Sequence, residues 1–189
     1  MNKLLLGLVC LLLMATTAQA QEGLQVGGGF AATIPVGVAN NAFTPGIGLD
    51  AGLHYRFADE GLSVGLVSGF YRFWPDSTTA FSVNYIPIQL EANYFVGEGD
   101  AKFYAGMRGG MARYIERTRD VAQTIQNETR KYLYPAFSPQ LGLEVALIDK
   151  LFLDIRLAYA IILSDEGAND YNVQHFTVGA GVRYNILSR

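Results

Sequence analysis

Charged side chains recur at alternate positions in this sequence, within segments whose other residues are apolar or small. Nine of them share the polar face of these segments: Asp50, Arg56, Glu91, Lys102, Arg108, Glu144, Asp154, Arg156 and Arg183. Four are acids and five are bases, so that most can pair. An isolated charge in a confined, poorly hydrated space is costly, because it loses its hydration without compensation. The chemistry that this pattern predicts is therefore an ion-pair network.

Enzymatic chemistry would need a nucleophile, a base and an orienting group at hydrogen-bond spacing. The chain has two histidines, His54 and His175, which fall near opposite ends of the predicted strands. Ser82, Ser138 and Ser164 have no histidine close to them in sequence. Glycine-rich phosphate loops, calcium-binding loops and HExxH spacing are absent from the sequence. The sequence thus predicts no enzyme, no catalytic or metal-binding residues and no cofactor.

The elements that position the charged residues are eight segments with a period of two. They cover residues 24–34, 46–57, 62–74, 81–96, 102–116, 132–147, 151–163 and 175–187. In the second segment Leu49, Ala51 and Leu53 alternate with Asp50 and Gly52. A period of two indicates β-strands with one apolar face. Pro87 cannot donate to a strand ladder and predicts a local defect in the fourth segment.

The connections between these segments alternate in length. Short turns at residues 58–61, 97–100 and 148–150 alternate with mostly longer loops at residues 36–45, 75–80, 117–131 and 164–171. Such sorting is typical of outer-membrane barrels, which have short periplasmic turns and longer extracellular loops.

The N-terminus carries export signals. A positive start at Lys3, an apolar run over residues 4–14 and a small-x-small site at Ala18-Gln19-Ala20 predict a signal peptide over residues 1–20. Residues 21–189 then form one barrel domain. Cys10 is the one cysteine and lies in the predicted signal, so the mature chain would hold no disulfide. A lipoprotein signal at Cys10 is the rival interpretation, and the bulky Val9 disfavours it.

The composition agrees with a membrane-embedded chain. Half of the residues are apolar, and only 16% are charged against about 25% in typical domains. The net charge of −3 indicates no nucleic-acid partner.

The last segment ends in the pattern Gly179-x-Gly181-x-x-Tyr184, with strict alternation around it. At this point the chain resembles the small eight-stranded outer-membrane barrels of bacteria, including the OmpA- and OmpX-like barrels. The resemblance implies an all-β fold, an eight-stranded antiparallel up-and-down transmembrane β-barrel, located in the bacterial outer membrane. It brings no catalytic motif with it.

The interior of an eight-stranded barrel is just wide enough for side chains to fill it. The sequence therefore predicts a lumen filled by ion-paired side chains and a structural or surface-interaction role. The expected partners are outer-membrane lipid and an extracellular ligand or protein at the loops, with the protein as a monomer. A small pore is the first alternative. A soluble, lipocalin-like carrier of apolar ligands is the second, and it would need an apolar interior.

Two finer expectations concern aromatic residues and strand register. Two aromatic belts are expected at the membrane interfaces: Tyr55, Phe57, Tyr94, Phe103, Phe152 and Tyr184 near the short turns, and Phe70, Trp74, Phe81, Tyr114, Tyr132, Tyr134, Tyr159, Tyr171 and Phe176 near the long loops. If Gly97 and Asp100 flank a two-residue turn, Glu91 and Arg108 become diagonal neighbours that long side chains can join.

Overall fold

The computed structural model describes residues 23–37, 43–57, 61–75, 81–97, 99–118, 129–163 and 173–187. These residues form eight strands: β1 Leu24–Val36, β2 Phe43–Arg56, β3 Leu62–Pro75, β4 Phe81–Val96, β5 Ala101–Thr118, β6 Thr129–Ile148, β7 Leu151–Ile162 and β8 Val173–Asn185. The predicted signal peptide, and with it the cleavage site and Cys10, lies outside the described residues, as do most residues of the four predicted loops.

The strands close into a single antiparallel barrel in sequence order, which confirms the predicted fold class. β1 pairs with β8 from Gln25 opposite Asn185 to Val36 opposite Gln174, so the first and last strands complete the ring. Closure leaves no sheet edge, and every interior strand position faces one enclosed lumen.

Alternation along each strand separates two surfaces, because successive side chains point to opposite faces. On β2, Leu49 and Leu53 face outward and are about half exposed, at 50% and 48%, whereas His54 and Arg56 face inward and are buried. On β8, Val178 and Val182 face outward, and Arg183 faces inward. The outer surface is thus apolar and the enclosed surface polar, the reverse of a soluble carrier. No helix formed by the described residues is long and apolar enough to cross a membrane.

We name the two ends of the barrel after the connections that they hold. The short-turn end holds the connections after β2, β4 and β6, and the long-loop end holds those after β1, β3, β5 and β7. β5 and β6 have 18 and 20 residues, against 12 to 16 in the other strands. The ladder of β6 with β5 runs from Thr129, whereas its ladder with β7 begins only at Ala136, so this hairpin extends the wall at the long-loop end.

A local defect occurs at Pro87, as predicted. The β3–β4 ladder runs to Ser68 opposite Ile88 and resumes at Tyr71 opposite Tyr85, with the same register on both sides. Ser68 donates its hydroxyl to the carbonyl oxygen of Pro87 at 2.8 Å. The side-chain bond supports the wall where the proline interrupts the ladder.

The predicted register of β4 and β5 is wrong by two residues. Glu91 lies directly opposite Arg108, and Gly106 lies opposite Asn93. The last pair of the ladder is Val96 opposite Phe103, so the connection is longer than a two-residue turn. Gly97 and Gly99 within it adopt positive φ, at 113° and 78°. A shift of two residues keeps each side chain on its face, because the period of a strand is two.

The aromatic belts are correct only in part. Phe70, Trp74 and Phe176 face outward at the long-loop end, and Tyr94 and Phe103 do so at the short-turn end. Tyr55 and Tyr184 at the short-turn end and Tyr159 at the long-loop end are also at outward positions, whereas the other expectations, Phe57 apart, divide between inward-facing and undescribed side chains. Tyr114, Tyr132 and Tyr134 pack in the interior, Phe152 lies on the inward face opposite Arg183, and Tyr171 and the Phe81 side chain lie outside the described part.

Neighbouring positions on β7 allow a direct test of the two surfaces. We expect a spin label at Leu157→Cys to be reached by a lipid-soluble relaxation agent, and a label at Ala158→Cys to be shielded from it. Leu157 is exposed on the outer wall and Ala158 is buried in the lumen. Electron paramagnetic resonance on the refolded protein in bilayers measures both, and greater access at residue 158 would contradict the assigned faces.

Candidate functional site

The polar interior contains the nine charged residues that the sequence placed on one face. Seven of them are buried, and the side chain of the eighth, Asp50, is only 7% exposed, so that Lys102 is the exception. Lys102 lies at the start of β5, opposite Glu144, where the lumen opens at the short-turn end. It is partly exposed and makes no ion pair with another described residue.

Six of the buried residues form a closed ring of alternating charge, which we call the charge ring. Its members in order are Glu91, Arg108, Asp50, Arg156, Asp154 and Arg183. Every arginine contacts two carboxylates, and every carboxylate contacts two arginines. The ring joins strands β2, β4, β5, β7 and β8, so it extends across the lumen as well as along the wall.

The contacts of the charge ring differ in length. Arg108 Nε lies 2.5 Å from Glu91 Oε2, and Arg108 Nη1 lies 3.4 Å from Asp50 Oδ2. Arg156 Nη2 binds the same Asp50 oxygen closely, and its Nη1 lies 3.7 Å from Asp154 Oδ2. Arg183 Nη2 completes the ring, at 3.4 Å from Asp154 Oδ1 and 3.5 Å from Glu91 Oε1. All six side chains are at most 8% exposed, so water competes little for these contacts.

Neutral polar groups occupy further hydrogen-bonding positions of the ring carboxylates. Tyr71 donates its hydroxyl to Asp50 at 3.0 Å, and Tyr104 donates to Asp154 at 2.8 Å. The third carboxylate, Glu91, accepts a hydrogen bond from the Asn93 amide at 2.6 Å and lies 3.0 Å from His54 Nε2. Such contacts help to offset the desolvation of a buried charge.

A second ion pair lies nearer the short-turn end. Arg56 binds Glu144 through two parallel contacts, Nη1 to Oε1 at 2.6 Å and Nη2 to Oε2 at 2.9 Å. This two-pronged geometry is the strong form of an arginine–carboxylate contact. The Arg56 guanidinium also lies 3.8 Å from the centroid of the Phe95 ring. The pair connects β2 to β6, which contributes no residue to the charge ring.

Two glycines make room for the tyrosines of the charge ring. A Cβ on Gly142 would overlap the Tyr104 ring, and a Cβ on Gly48 would overlap the Tyr71 ring. Each tyrosine thus lies across a wall position that has no side chain. By contrast, a Cβ on Gly109 would come no closer than 3.6 Å to Phe137, an ordinary contact.

The long-loop half of the lumen is filled by aromatic and aliphatic side chains, which we call the aromatic layer. Its buried members are Ala31, Tyr71, Phe73, Val83, Tyr85, Ala112, Tyr114, Ala136 and Ile162. Tyr71 stacks on Tyr85 with ring centroids 4.6 Å apart, and the same Tyr71 binds Asp50. His175 is fully buried and packs edge-on against Phe73 and Tyr85. The aromatic layer therefore lies directly on the charge ring.

Little empty space remains between these groups. A cavity of about 20 Å³ lies beside Asp50, Arg108 and Arg156, against the glycines of β1 and β8. This is about the space of one water molecule. A basin of about 430 Å³ lies at the short-turn mouth, bordered by Lys102, Asp100 and the Arg56–Glu144 pair.

The two histidines lie in different surroundings. His54 contacts Glu91 beside the charge ring, and His175 is enclosed by the aromatic layer. Ser138 is buried on β6, while Ser164 and the side chain of Ser82 lie outside the described part. Over the described ranges, no three His, Cys, Asp or Glu side chains are placed to hold a metal ion. The arrangement supports charge pairing and packing as the chemistry of the lumen.

Sequence reasoning did not identify which charges pair across the lumen, or the supporting tyrosines and the layer above them. Alternation already placed Tyr71, Tyr85 and Tyr104 inward. Applied to Tyr114, Tyr132 and Tyr134, the same alternation would have moved them from the belt to the interior.

Comparison with known proteins gives one family match. The outer membrane protein β-barrel domain family matches residues 4–184, nearly the whole chain. No curated protein matches the sequence.

Several solved structures share the fold. The neisserial surface protein NspA has a TM-score of 0.66 at 16% identity, over 87% of this chain and 98% of its own. OprG of Pseudomonas aeruginosa has a TM-score of 0.58 at 17% identity, over 88% of this chain and 98% of its own. The attachment invasion locus protein Ail of Yersinia pestis has a TM-score of 0.51 at 16% identity, over 86% and 99%. At such identities the likeness shows the fold alone.

Glu91 and Arg108 offer a test of the charge ring by a double-mutant cycle. We expect Glu91→Gln or Arg108→Met alone to destabilise the barrel by about 3–5 kcal/mol, because each leaves a buried partner charge. The double variant should cost less than the sum, with a coupling energy of roughly 0.5–3 kcal/mol. Denaturant unfolding in detergent or lipid measures the four free energies.

The exposed turn residues Asp149 and Lys150 provide the matched control. Asp149→Asn and Lys150→Met should each change the free energy of unfolding little and should add within about 0.5 kcal/mol. Strictly additive effects at Glu91 and Arg108 would show that the two buried residues do not interact.

Proposed function

Because the chain belongs to the outer membrane protein β-barrel domain family, we propose that it is a closed outer-membrane barrel with a structural and surface-interaction role. The chain lies in the bacterial outer membrane. In the proposed role the wall anchors the protein in lipid, the lumen does not conduct, and the long-loop end faces the exterior.

The observation that carries the closed lumen is the stacking of two filled layers along the barrel axis. An ion moving along the lumen would have to pass the charge ring and then the aromatic layer. Phe73, Val83 and Ile162 in the second layer are at most 2% exposed, and the cavity at the ring has room for about one water molecule. The charges of the ring balance, three arginines against three carboxylates, so a permeating ion would meet no excess counter-charge.

The proposed role at the cell surface rests on the sorted connections. Outer-membrane barrels have their longer loops outside and their short turns in the periplasm. Among the described strands, β5 and β6 are the longest, and residues 117–131 form the longest predicted loop. An extracellular ligand or protein would meet these loops, while the lumen contributes stability.

Planar-bilayer recording tests the closed lumen. We expect the refolded chain to give no stepwise conductance above the bare bilayer, because both layers are filled. As an internal control, a variant that thins both layers, with Phe73→Ala, Tyr85→Ala, Glu91→Ala and Arg108→Ala, should conduct if its migration on gels shows that it is folded. Steady conductance steps from the unmodified chain would contradict a closed lumen and would support a small pore.

Cleavage on intact cells tests the orientation independently. A protease site inserted after residue 123, in the longest predicted loop, should be cut by external protease. The same insertion between Asp149 and Lys150, in a short turn, should be cut only after the cells are permeabilised. The opposite pattern would place the short turns outside and overturn the surface role assigned to the long loops.

A further inference from the structure

The outward surface carries charge in one region. Among the strand side chains that the structure describes, three basic groups face outward and are exposed, Arg72 on β3, Arg113 on β5 and Lys131 on β6. The acidic residues of the described strands are all at inward positions: Asp50, Glu91, Glu116, Glu144 and Asp154. The three bases make no ion pair with a described residue. We call Arg72, Arg113 and Lys131 the basic patch.

The basic patch lies near one end of the membrane span. Arg72 and Arg113 each lie ten residues after the first large outward apolar residue of their strand, Leu62 and Phe103. A tilted membrane strand needs about 9–11 residues to cross the hydrocarbon region. Both arginines therefore reach the interface at the long-loop end. Trp74, two residues beyond Arg72, is outward and 39% exposed, as expected of an aromatic residue at headgroup level.

The three bases are close enough to act together. Arg72 and Arg113 lie on either side of β4 and are offset by two residues along the strands. At a strand spacing of about 4.8 Å and a rise of about 3.3 Å per residue, their backbones are roughly 12 Å apart. Arg113 lies opposite Leu133, so Lys131 is its diagonal neighbour, at roughly 7–8 Å between backbones. Arginine and lysine side chains are long enough to converge on one headgroup across such distances.

A polar residue within the patch supports a bound headgroup independently. Asn84 lies on the outward face of β4, opposite Arg72 on one side and Ile115 on the other. It is only 8% exposed, and its amide oxygen has no hydrogen-bond partner among the residues that the structure describes. A buried amide oxygen without a partner is costly, and a hydroxyl or N–H of a lipid headgroup would satisfy it.

We propose that the basic patch and Asn84 bind the phosphorylated headgroup of a membrane lipid at the long-loop interface. Guanidinium groups match phosphate oxygens through paired hydrogen bonds, and the patch provides two of them beside one ammonium. With the long-loop end outside, which rests on the proposed orientation, the ligand is the phosphorylated glycolipid of the outer leaflet. The sugar hydroxyls of such a headgroup would supply the donor for Asn84.

The single tryptophan of the chain reports on this site, because Trp74 adjoins Arg72. The protein is refolded into phosphatidylcholine vesicles that contain a minor amount of bisphosphorylated lipid A with a nitroxide near its headgroup. We expect stronger quenching of Trp74 than with the same labelled lipid after removal of its phosphates. Each basic side chain near an anionic lipid favours association about fivefold, so Arg113→Gln should lower the relative association constant by about that factor.

The triple variant R72Q/R113Q/K131Q should reduce quenching to the level of the dephosphorylated lipid. K150Q is the matched control, because Lys150 is an exposed base in a turn at the opposite end, and it should leave the quenching unchanged. Folding of each variant is checked by its heat-dependent migration. The proposal would be overturned if the two lipids quenched Trp74 equally. It would also be overturned if the phosphorylated lipid still quenched Trp74 more strongly in the triple variant.

Inorganic phosphate distinguishes a lipid from a free anion. If the extra quenching of Trp74 by the phosphorylated lipid persists after phosphate is added, the site binds the lipid headgroup. If millimolar phosphate abolishes this extra quenching, the site binds the free anion and the proposal is contradicted. The cleavage experiment on cells tests the orientation by a different measurement, so failure of the patch and failure of the orientation remain separable.

Discussion

The interior of this barrel depends on the mutual neutralisation of three arginines and three carboxylates in the charge ring. Each of these side chains is nearly inaccessible to water and has two partners of opposite sign. A buried charge without a partner loses several kcal/mol of hydration free energy. Each member of the ring therefore offsets the desolvation cost of its two neighbours. Strand pairing closes the wall of the barrel. The charge ring allows charged side chains to lie inside that wall.

Other features of the lumen follow from this constraint. Gly142 and Gly48 leave the space in which Tyr104 and Tyr71 reach the ring carboxylates. The same Tyr71 stacks on Tyr85 and so begins the aromatic layer, whose buried members carry no charge. With the inward face occupied in this way, contacts with other molecules fall to the outer wall and the loops. The basic patch lies on that wall at the level of the lipid headgroups.

The sequence predicted the fold and the facing of side chains because both depend on a period of two. It placed Asp50, Glu91, Asp154 and the three ring arginines in the lumen, but not their pairing order. Contacts such as Arg156 with Asp50 cross the barrel and depend on its closure and stagger. The β4–β5 register was missed because it was derived from a two-residue turn, whereas the ladder ends at Val96 opposite Phe103. Lys102 is on the same face of its strand as the members of the ring. It lies at the start of β5, however, where the lumen opens at the short-turn end.

The central claim is that the arginines of the charge ring contact carboxylates inside the lumen of the membrane-embedded protein. Solid-state nuclear magnetic resonance in bilayers can test it by measuring dipolar dephasing between arginine side-chain nitrogens and Asp and Glu carboxyl carbons. The structure predicts short nitrogen–carbon separations, of the order of 4 Å, for a distinct set of guanidinium signals, with part of that set lost in Arg156→Met. Guanidinium signals that show no carboxyl dephasing, and contact only water or lipid, would contradict the charge ring.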